Sequence, residues 1–261
     1  MSNGAPAATY ELRHIENWHA ESDAMAEAIR AHARSVGPLE ILEAGCGQAW
    51  PLDLDGVDYR LTGIDADPEA LAMRVEGGDL DVALEGDLRT VELPESKFDV
   101  IFNSFVLEHV DGATQVLDNF VRWLKPGGLL LIRLPDRESV YGFAAATTPH
   151  WVHVWYKRYI VGNPNAGKPG HEPYPTVYDE VVSRSGFDTY CREAGLEAVD
   201  RWKFPLANLE EGFRTKATVV GAKLIAGASF GRLSGDHMWL TYILRKPGVD
   251  SSSADAPSDV T

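Results

Sequence analysis

The chain has 261 residues, of which 44% are hydrophobic and 24% charged, with a formal net charge of −15. Such a length suits one α/β domain with an insertion, and the acid excess excludes a phosphate backbone as main partner, because nucleic-acid binding relies on clustered Lys and Arg. Two distant cysteines, Cys46 and Cys191, provide no disulfide framework or metal-ligand spacing, and with neither a signal peptide nor a membrane-length apolar run the expectation is a cytoplasmic protein.

In chain order, residues 1–9 are small, polar and Pro-containing and are expected to be disordered. Residues 10–36 carry Leu12, Ile15, Trp18, Met25 and Ile29 at helical spacing, which predicts one or two amphipathic helices. Gly37-Pro38 stops them. Leu39 to Ala44 reads as a buried strand that ends on Gly45-Cys46-Gly47, a turn where the backbone comes close to whatever lies beyond the strand. About twenty residues on, Arg60 to Asp65 is a second strand closing on a carboxylate, the spacing of a group that accepts hydrogen bonds from a ribose diol. Asp67-Pro68 then starts a helix that Gly77-Gly78 ends. Val82 to Leu84 is a third strand delivering Asp87 and Leu88, which suit an exocyclic amine and the face of a purine. Phe98 to Ser104 is a fourth strand, Ala113 to Leu124 a helix with an apolar stripe, and Leu129 to Leu134 a fifth strand.

As an ordered set, the Glu43-Ala44-Gly45-Cys46-Gly47 turn, Gly63-Ile64-Asp65-Ala66-Asp67, Gly86-Asp87, Phe98-Asp99-Val100 through Leu107-Glu108-His109-Val110, and Leu124-Lys125-Pro126-Gly127-Gly128 resemble the class I S-adenosylmethionine-dependent methyltransferases, in particular their small-molecule, quinone-methyltransferase-like branch. The resemblance implies a Rossmann-like α/β fold with a seven-stranded, mostly parallel sheet, helices on both faces and an inserted lid. It implies S-adenosyl-L-methionine as cofactor, S-adenosyl-L-homocysteine as product and no metal. The cofactor-binding positions it implies are Glu43, Gly45, Cys46 and Gly47 near the methionine moiety, Asp65 and Ala66 at the ribose, Asp87 and Leu88 at the adenine, and Asn103 and Ser104 near the amino group. The departures are Ala49, where the family has a third glycine, and Trp50-Pro51, which predicts a short or irregular first crossover.

The stretch 139–180 is expected to be the acceptor-binding insertion between a cofactor-binding core, 37–138, and the rest of the sheet, 181–246. From Ser139 to His171 it has no Asp or Glu, while His150, His153, His171, Lys157, Arg158 and Lys168 alternate with Trp151, Trp155, Tyr156 and Tyr159. Such a segment either lids the cleft or packs for stability or as a homodimer contact. As a lid, its cationic and aromatic character favours a planar or anionic acceptor. Residues 178–194 read as a helix, 195–204 as a sixth strand and 237–244 as the last. Between them the apolar stretch 218–230 reads as a core or oligomer helix before a peripheral membrane helix, and residues 247–261 as a disordered tail.

Transfer to oxygen calls for a general base. His109, which follows the fourth strand, and His150 and His153 of the insertion are the candidates. The expected function is methylation of a small molecule, at oxygen before nitrogen or carbon, the acceptor being a secondary metabolite, a sugar or a quinone. A non-catalytic cofactor-binding scaffold is the alternative. A nicotinamide dehydrogenase fits less well, since Trp50 stands where its third glycine belongs.

Overall fold

The structure is a computed structural model and describes residues 12–168, 173–206 and 213–248. The expected disordered stretches fall outside these, 1–9 entirely and 247–261 from residue 249 onward, as does His171.

The helix expected near the N-terminus is α1, Trp18–Val36. Asn17 caps it by accepting from the Ala20 amide at 2.9 Å, and Gly37, at φ 91°, ends it. Its buried positions, Glu21, Met25, Ala26, Ile29 and His32, fall on one face. That face lies on one side of a sheet of eight strands in the order β1-β7-β8-β6-β5-β2-β3-β4. The strands are β1 Arg13–His14, β2 Leu39–Ala44, β3 Tyr59–Asp65, β4 Val82–Glu85, β5 Phe98–Ser104, β6 Leu124–Pro135, β7 Glu197–Pro205 and β8 His237–Arg245. All neighbours are parallel except β8, which runs antiparallel to both β6 and β7. The mostly parallel α/β sheet is as expected. The additional strand is β1, two residues pairing with Trp202 and Lys203 of β7.

The core has a layer on each face. On one, α1 packs with Leu52, Leu54, Leu61, Phe102 and Leu131. On the other, α3 (Ala113–Trp123) buries Val116, Leu117, Phe120 and Trp123. The crossover from β2 to β3 contains no helix, and Pro51 accounts for this because its ring removes an amide donor and blocks the preceding turn. Trp50 sits edge-on to Phe102 at 5.5 Å, while Leu52 and Leu54 are buried. The loop thereby covers the strip a crossover helix would have covered.

After β6 the chain leaves the sheet. It forms α4 (Val140–Thr147), α5 (His150–Trp155) and a π-helical turn, Tyr156–Val161, and returns at α6 (Arg184–Glu193). α6 begins six residues later than the predicted 178–194 because residues 177–179 are bound elsewhere. The Val177 amide donates to the Glu108 carbonyl at 2.8 Å, and Asp179 accepts from the Gly112 and Ala113 amides, both at 2.8 Å. Gly112 has no side chain with which to cap α3, so Asp179 caps it from across the fold. Helix α7, Phe213–Ala228, packs on α4 through a small cluster of Val140, Leu206, Ala222 and Met238.

Candidate active site at the carboxyl ends of the strands

Four parallel strand ends meet at one edge, where open α/β sheets bind ligands. At the end of β2, Gly45 takes φ 73° and Gly47 φ 52°. A Cβ on Gly45 would lie 2.3 Å from Val106 Cγ2, so both the backbone conformation and the space demand glycine. The Gly45 and Cys46 amides both donate to the Ile64 carbonyl, at 2.8 and 3.0 Å. Asp65, the last residue of β3, accepts from the Gly47 amide through Oδ2 at 2.8 Å and from the Asp67 amide through Oδ1 at 2.9 Å. Ala66 stands between the two residues so braced. Each oxygen of Asp65 keeps a lone pair beyond its backbone bond.

Glu43 does not project freely. It is buried, and Oε2 accepts from Arg74 at 2.7 Å. Arg74, fully buried on α2 (Pro68–Gly77), also donates to the Cys46 carbonyl at 2.6 Å and to Asp79 at 2.7 Å. Burial would lower Arg74, but Glu43 and Asp79 outweigh it and hold the guanidinium charged. Burial pushes the Glu43 carboxyl up to about 8, with Arg74 opposing, and the Cys46 thiol up to about 12. Asp79, which is partly exposed, is therefore the standing counter-ion of Arg74. Arg74 was missed in the sequence, where an arginine in a short helix looks like any solvated residue.

At the end of β4, Asp87 is clasped by Arg89, whose Nε donates to Oδ1 at 2.9 Å, as does its amide. The hydrogen bonds from Arg89 hold Asp87 below the usual carboxylate range. Leu88 is buried and its carbonyl accepts from Asn119 Nδ2 at 2.8 Å. At the end of β5, Asn103 is fully buried. Its Nδ2 donates to the Ala44 carbonyl at 2.8 Å, and its Oδ1 has no hydrogen-bond partner among the described residues. An unsatisfied buried carbonyl is costly, so such an oxygen calls for a donor. Ser104 follows, half-buried, and Phe105 takes φ 56°.

Phe105 stacks on Trp18, with centroids 6.3 Å apart, and meets Trp239 edge-on at 5.4 Å. Trp18 covers the Arg133 guanidinium at 4.2 Å, and Arg133 pairs with Glu21 at 3.1 Å. Both charged residues are fully buried. Burial lowers Arg133 to about 10, with Glu21 opposing, so it is charged at neutral pH. The start of α1 is thereby fastened over the ends of β5 and β6.

The three candidate histidines fall into two sets. His109, in the 3₁₀ turn Leu107–His109, has Nδ1 2.7 Å from the Pro175 carbonyl and meets Tyr174 edge-on at 5.9 Å. A carbonyl accepts only, so Nδ1 carries the proton and Nε2 is the basic nitrogen of the neutral ring. Nε2 lies 3.9 Å from Glu108 Oε1. His150 and His153 adjoin each other on α5, centroids 6.3 Å apart, and His153 Nε2 lies 2.5 Å from Thr148 Oγ1. Burial, then His150, lowers His153. These contacts share no residue with those given for His109. Among the described residues no group of three or more His, Cys, Asp or Glu is placed to hold a metal ion.

A family described as a methyltransferase domain matches residues 42–132, from β2 through β6. About a third of the chain is thus similar to that family. A probable S-adenosylmethionine-dependent methyltransferase of Mycolicibacterium smegmatis is 35% identical over 100 residues, 38% of each chain. A ubiquinone biosynthesis O-methyltransferase of Maricaulis maris is 31% identical over 46% of this chain and 50% of its own. Another of that description, from Nitrosococcus oceani, is 28% identical over 66% of this chain and 68% of its own. The chain spans half or less of the length of the first two. Among solved structures, that of the [4+2]-cyclase SpnF matches 94% of this chain and 89% of its own, at TM-score 0.55 and 16% identity. A sarcosine dimethylglycine methyltransferase structure from Galdieria sulphuraria matches 88% of this chain and 86% of its own, at TM-score 0.54 and 13% identity. These two likenesses carry the fold alone. The matched residues thus include the ends of β2, β3, β4 and β5, whereas the last residues of β6 and the insertion after it lie beyond them.

Proposed function

We propose that the chain transfers the methyl group of S-adenosylmethionine to a small-molecule acceptor, at oxygen before nitrogen or carbon. The observation that carries this reading is the convergence of the Gly45–Gly47 turn, Asp65, Asp87 with Leu88, and the unsatisfied Oδ1 of Asn103 on one edge of the sheet. The residues fit the cofactor. Gly45 gives the methionine portion a backbone free of side chains, Asp65 has lone pairs for the ribose hydroxyls, and Leu88 offers an apolar face to the adenine. Asn103 Oδ1 is an acceptor in need of a donor such as an ammonium group. When bound, the cofactor supplies an electrophilic methyl on a sulfonium.

The chain's own part is alignment and exclusion of water. Trp18, Phe105 and Trp239 wall the ends of β5 and β6 with apolar surface. Among the histidines His109 is favoured as base, because the Pro175 carbonyl fixes its tautomer with Nε2 as the basic nitrogen and because its turn is the element that follows β5. The segment from α4 to residue 180 serves as the lid. Its Lys, Arg and aromatic residues, free of acid from 139 to 171, favour a planar or anionic acceptor. A non-catalytic scaffold is the second reading. It is favoured by the internal engagement of Glu43 with Arg74 and of Asp87 with Arg89.

Calorimetric titration with S-adenosylmethionine, and separately with NAD, tests the assignment. The expected result is micromolar binding of the former alone, weakened at least tenfold in Asp65→Ala. Absence of binding overturns it. Binding without turnover across phenolic, carboxylate and sugar acceptors moves the assignment to the scaffold.

A further inference from the structure

The methyltransferase domain accounts for neither the exposed aromatic residues after β6 nor the exposed apolar face of α7. Through α5 and the π-helical turn, Trp151, Trp155 and Tyr159 recur at every fourth residue and are 69%, 50% and 67% exposed. Residues at this spacing form one stripe along a helix. Trp155 and Tyr159 are ring neighbours, centroids 6.3 Å apart. Tyr141 and Phe143 of α4 are exposed as well, and so are Val220, Leu224 and Ile225 of α7 and Phe230 just after it. α4 and α7 pack together through Val140 and Ala222, so the two exposed surfaces belong to one part of the fold. Large aromatics are rarely left in water in such number without a partner.

Charge names the partner. Residues 139–171 and 212–235 together hold seven Lys and Arg and no Asp or Glu, in a chain of net charge −15 whose remainder therefore carries −22. Among the basic residues, Lys223 and Arg232 are exposed. A second copy joined by this face through a two-fold axis would set exposed basic residues such as Lys223 and Arg232 against their own copies. A surface of anionic lipid headgroups answers them, while repelling the acidic remainder and so orienting the molecule. Trp and Tyr are also the side chains that settle at the boundary of headgroup and acyl chain. We propose that the chain docks peripherally on anionic lipid bilayers through α4, α5, the π-helical turn and α7. No helix among the described residues is long and apolar enough to cross a membrane, and docking of this kind needs none. The proposal is independent of the reaction assigned above.

Flotation of the full chain with vesicles of equal parts phosphatidylglycerol and phosphatidylcholine, against phosphatidylcholine alone, tests it. Two variants accompany the wild type, Trp151→Ala with Tyr159→Ala, and Lys223→Glu with Arg232→Glu. All four positions are exposed, and unchanged circular dichroism and melting temperature verify the fold. The wild type should float with the anionic vesicles only, with a blue shift in tryptophan emission and release in high salt. Each variant should partition at least tenfold less, since one basic residue at such a surface is worth about a fivefold change. Failure to float with anionic vesicles at low salt overturns the proposal, as does flotation that both variants leave intact. A dimer in solution that the aromatic variant dissolves, without vesicle binding, overturns it in favour of a second copy. Cofactor enters none of these measurements, so their failure leaves the methyl-transfer assignment untouched.

Discussion

Replacement of Glu43 by Gln separates two accounts of the buried group beneath the glycine turn. Glu43 is 3% exposed and faces a fully buried Arg74 that already has Asp79 as counter-ion. Burying a second carboxylate charge there is unfavourable, and the Glu43 carboxyl rises from its ordinary 4.5 to about 8. A folded-state pKa above the unfolded one means that the native state holds the proton more tightly. Stability is then greatest below about pH 4.5 and declines as pH rises towards 8. At about 1.4 kcal/mol per tenfold change in proton affinity, the full decline is roughly 5 kcal/mol, with the opposition of Arg74 already counted in the value of about 8. Gln reproduces the protonated carboxyl and cannot titrate. Urea unfolding of wild type and Glu43→Gln at several pH values should therefore show the variant gaining a few kcal/mol on the wild type between pH 5 and 8. Calorimetry should show cofactor affinity changed by less than about threefold, since Glu43 reaches the turn only through Arg74 and the Cys46 carbonyl. Parallel pH curves would refute this reasoning. So would a variant weaker by about 3–5 kcal/mol at pH 8, the signature of a broken buried ion pair.

Gly45→Ala should weaken cofactor binding more than tenfold, since its Cβ meets Val106 Cγ2 at 2.3 Å and the left-handed backbone adds about 1–2 kcal/mol. Adding Val106→Ala should restore the steric part only, as calorimetry on both variants would reveal. Glu21→Ala leaves Arg133 buried without its carboxylate, so stability should fall by roughly 3–5 kcal/mol in urea melts and α1 should loosen, seen as changed Trp18 fluorescence. Buried His237 lies 2.7 Å from both Asp136 and Asp236. Burial acts to lower it, but the two carboxylates outweigh burial and raise it, while Asp236 is held low chiefly by His237. The raised imidazole contributes fully below about pH 6.5 and less as pH climbs through its folded value, and the lowered carboxylates contribute above about pH 4. His237→Gln should therefore destabilise the protein near pH 5.5, and progressively less as pH climbs through the raised imidazole's folded value, in thermal melts.

What could be read from the sequence was what is local. Gly45, Gly47 and Asp65 announce themselves because a strand end, a backbone turn and a carboxylate stand in fixed order within about twenty residues, and no distant partner alters their geometry. The helix-free crossover was equally legible, since Pro51 acts on its own neighbours. Charged groups paired across the fold were not legible. Glu21 meets Arg133, Glu43 meets Arg74, and Asp179 caps α3 in place of a side chain that Gly112 lacks. In sequence Glu21, Arg74 and Asp179 look like solvated residues, and Glu43 like a contact to the cofactor. β1 escaped notice because two residues, Arg13 and His14, are too few to show a period of two. The late start of α6 has the same origin, since Val177 and Asp179 form their hydrogen bonds with residues near 110 before the helix can claim them.

The two halves of the site are joined at a single buried residue. Asp136, immediately after β6, accepts from the amides of Glu138 and Arg184 and faces His237 of β8. One carboxylate thus binds the point where the chain leaves the sheet, the point where it returns as α6, and the antiparallel strand between β6 and β7. The exit and return of the insertion are thereby tied to the sheet by one buried carboxylate. The family match ends at residue 132, just before β6 ends, while the sheet continues through β7 and β8. On the proposed reading the strand ends up to that point serve the cofactor, and the tethered segment beyond it serves the acceptor.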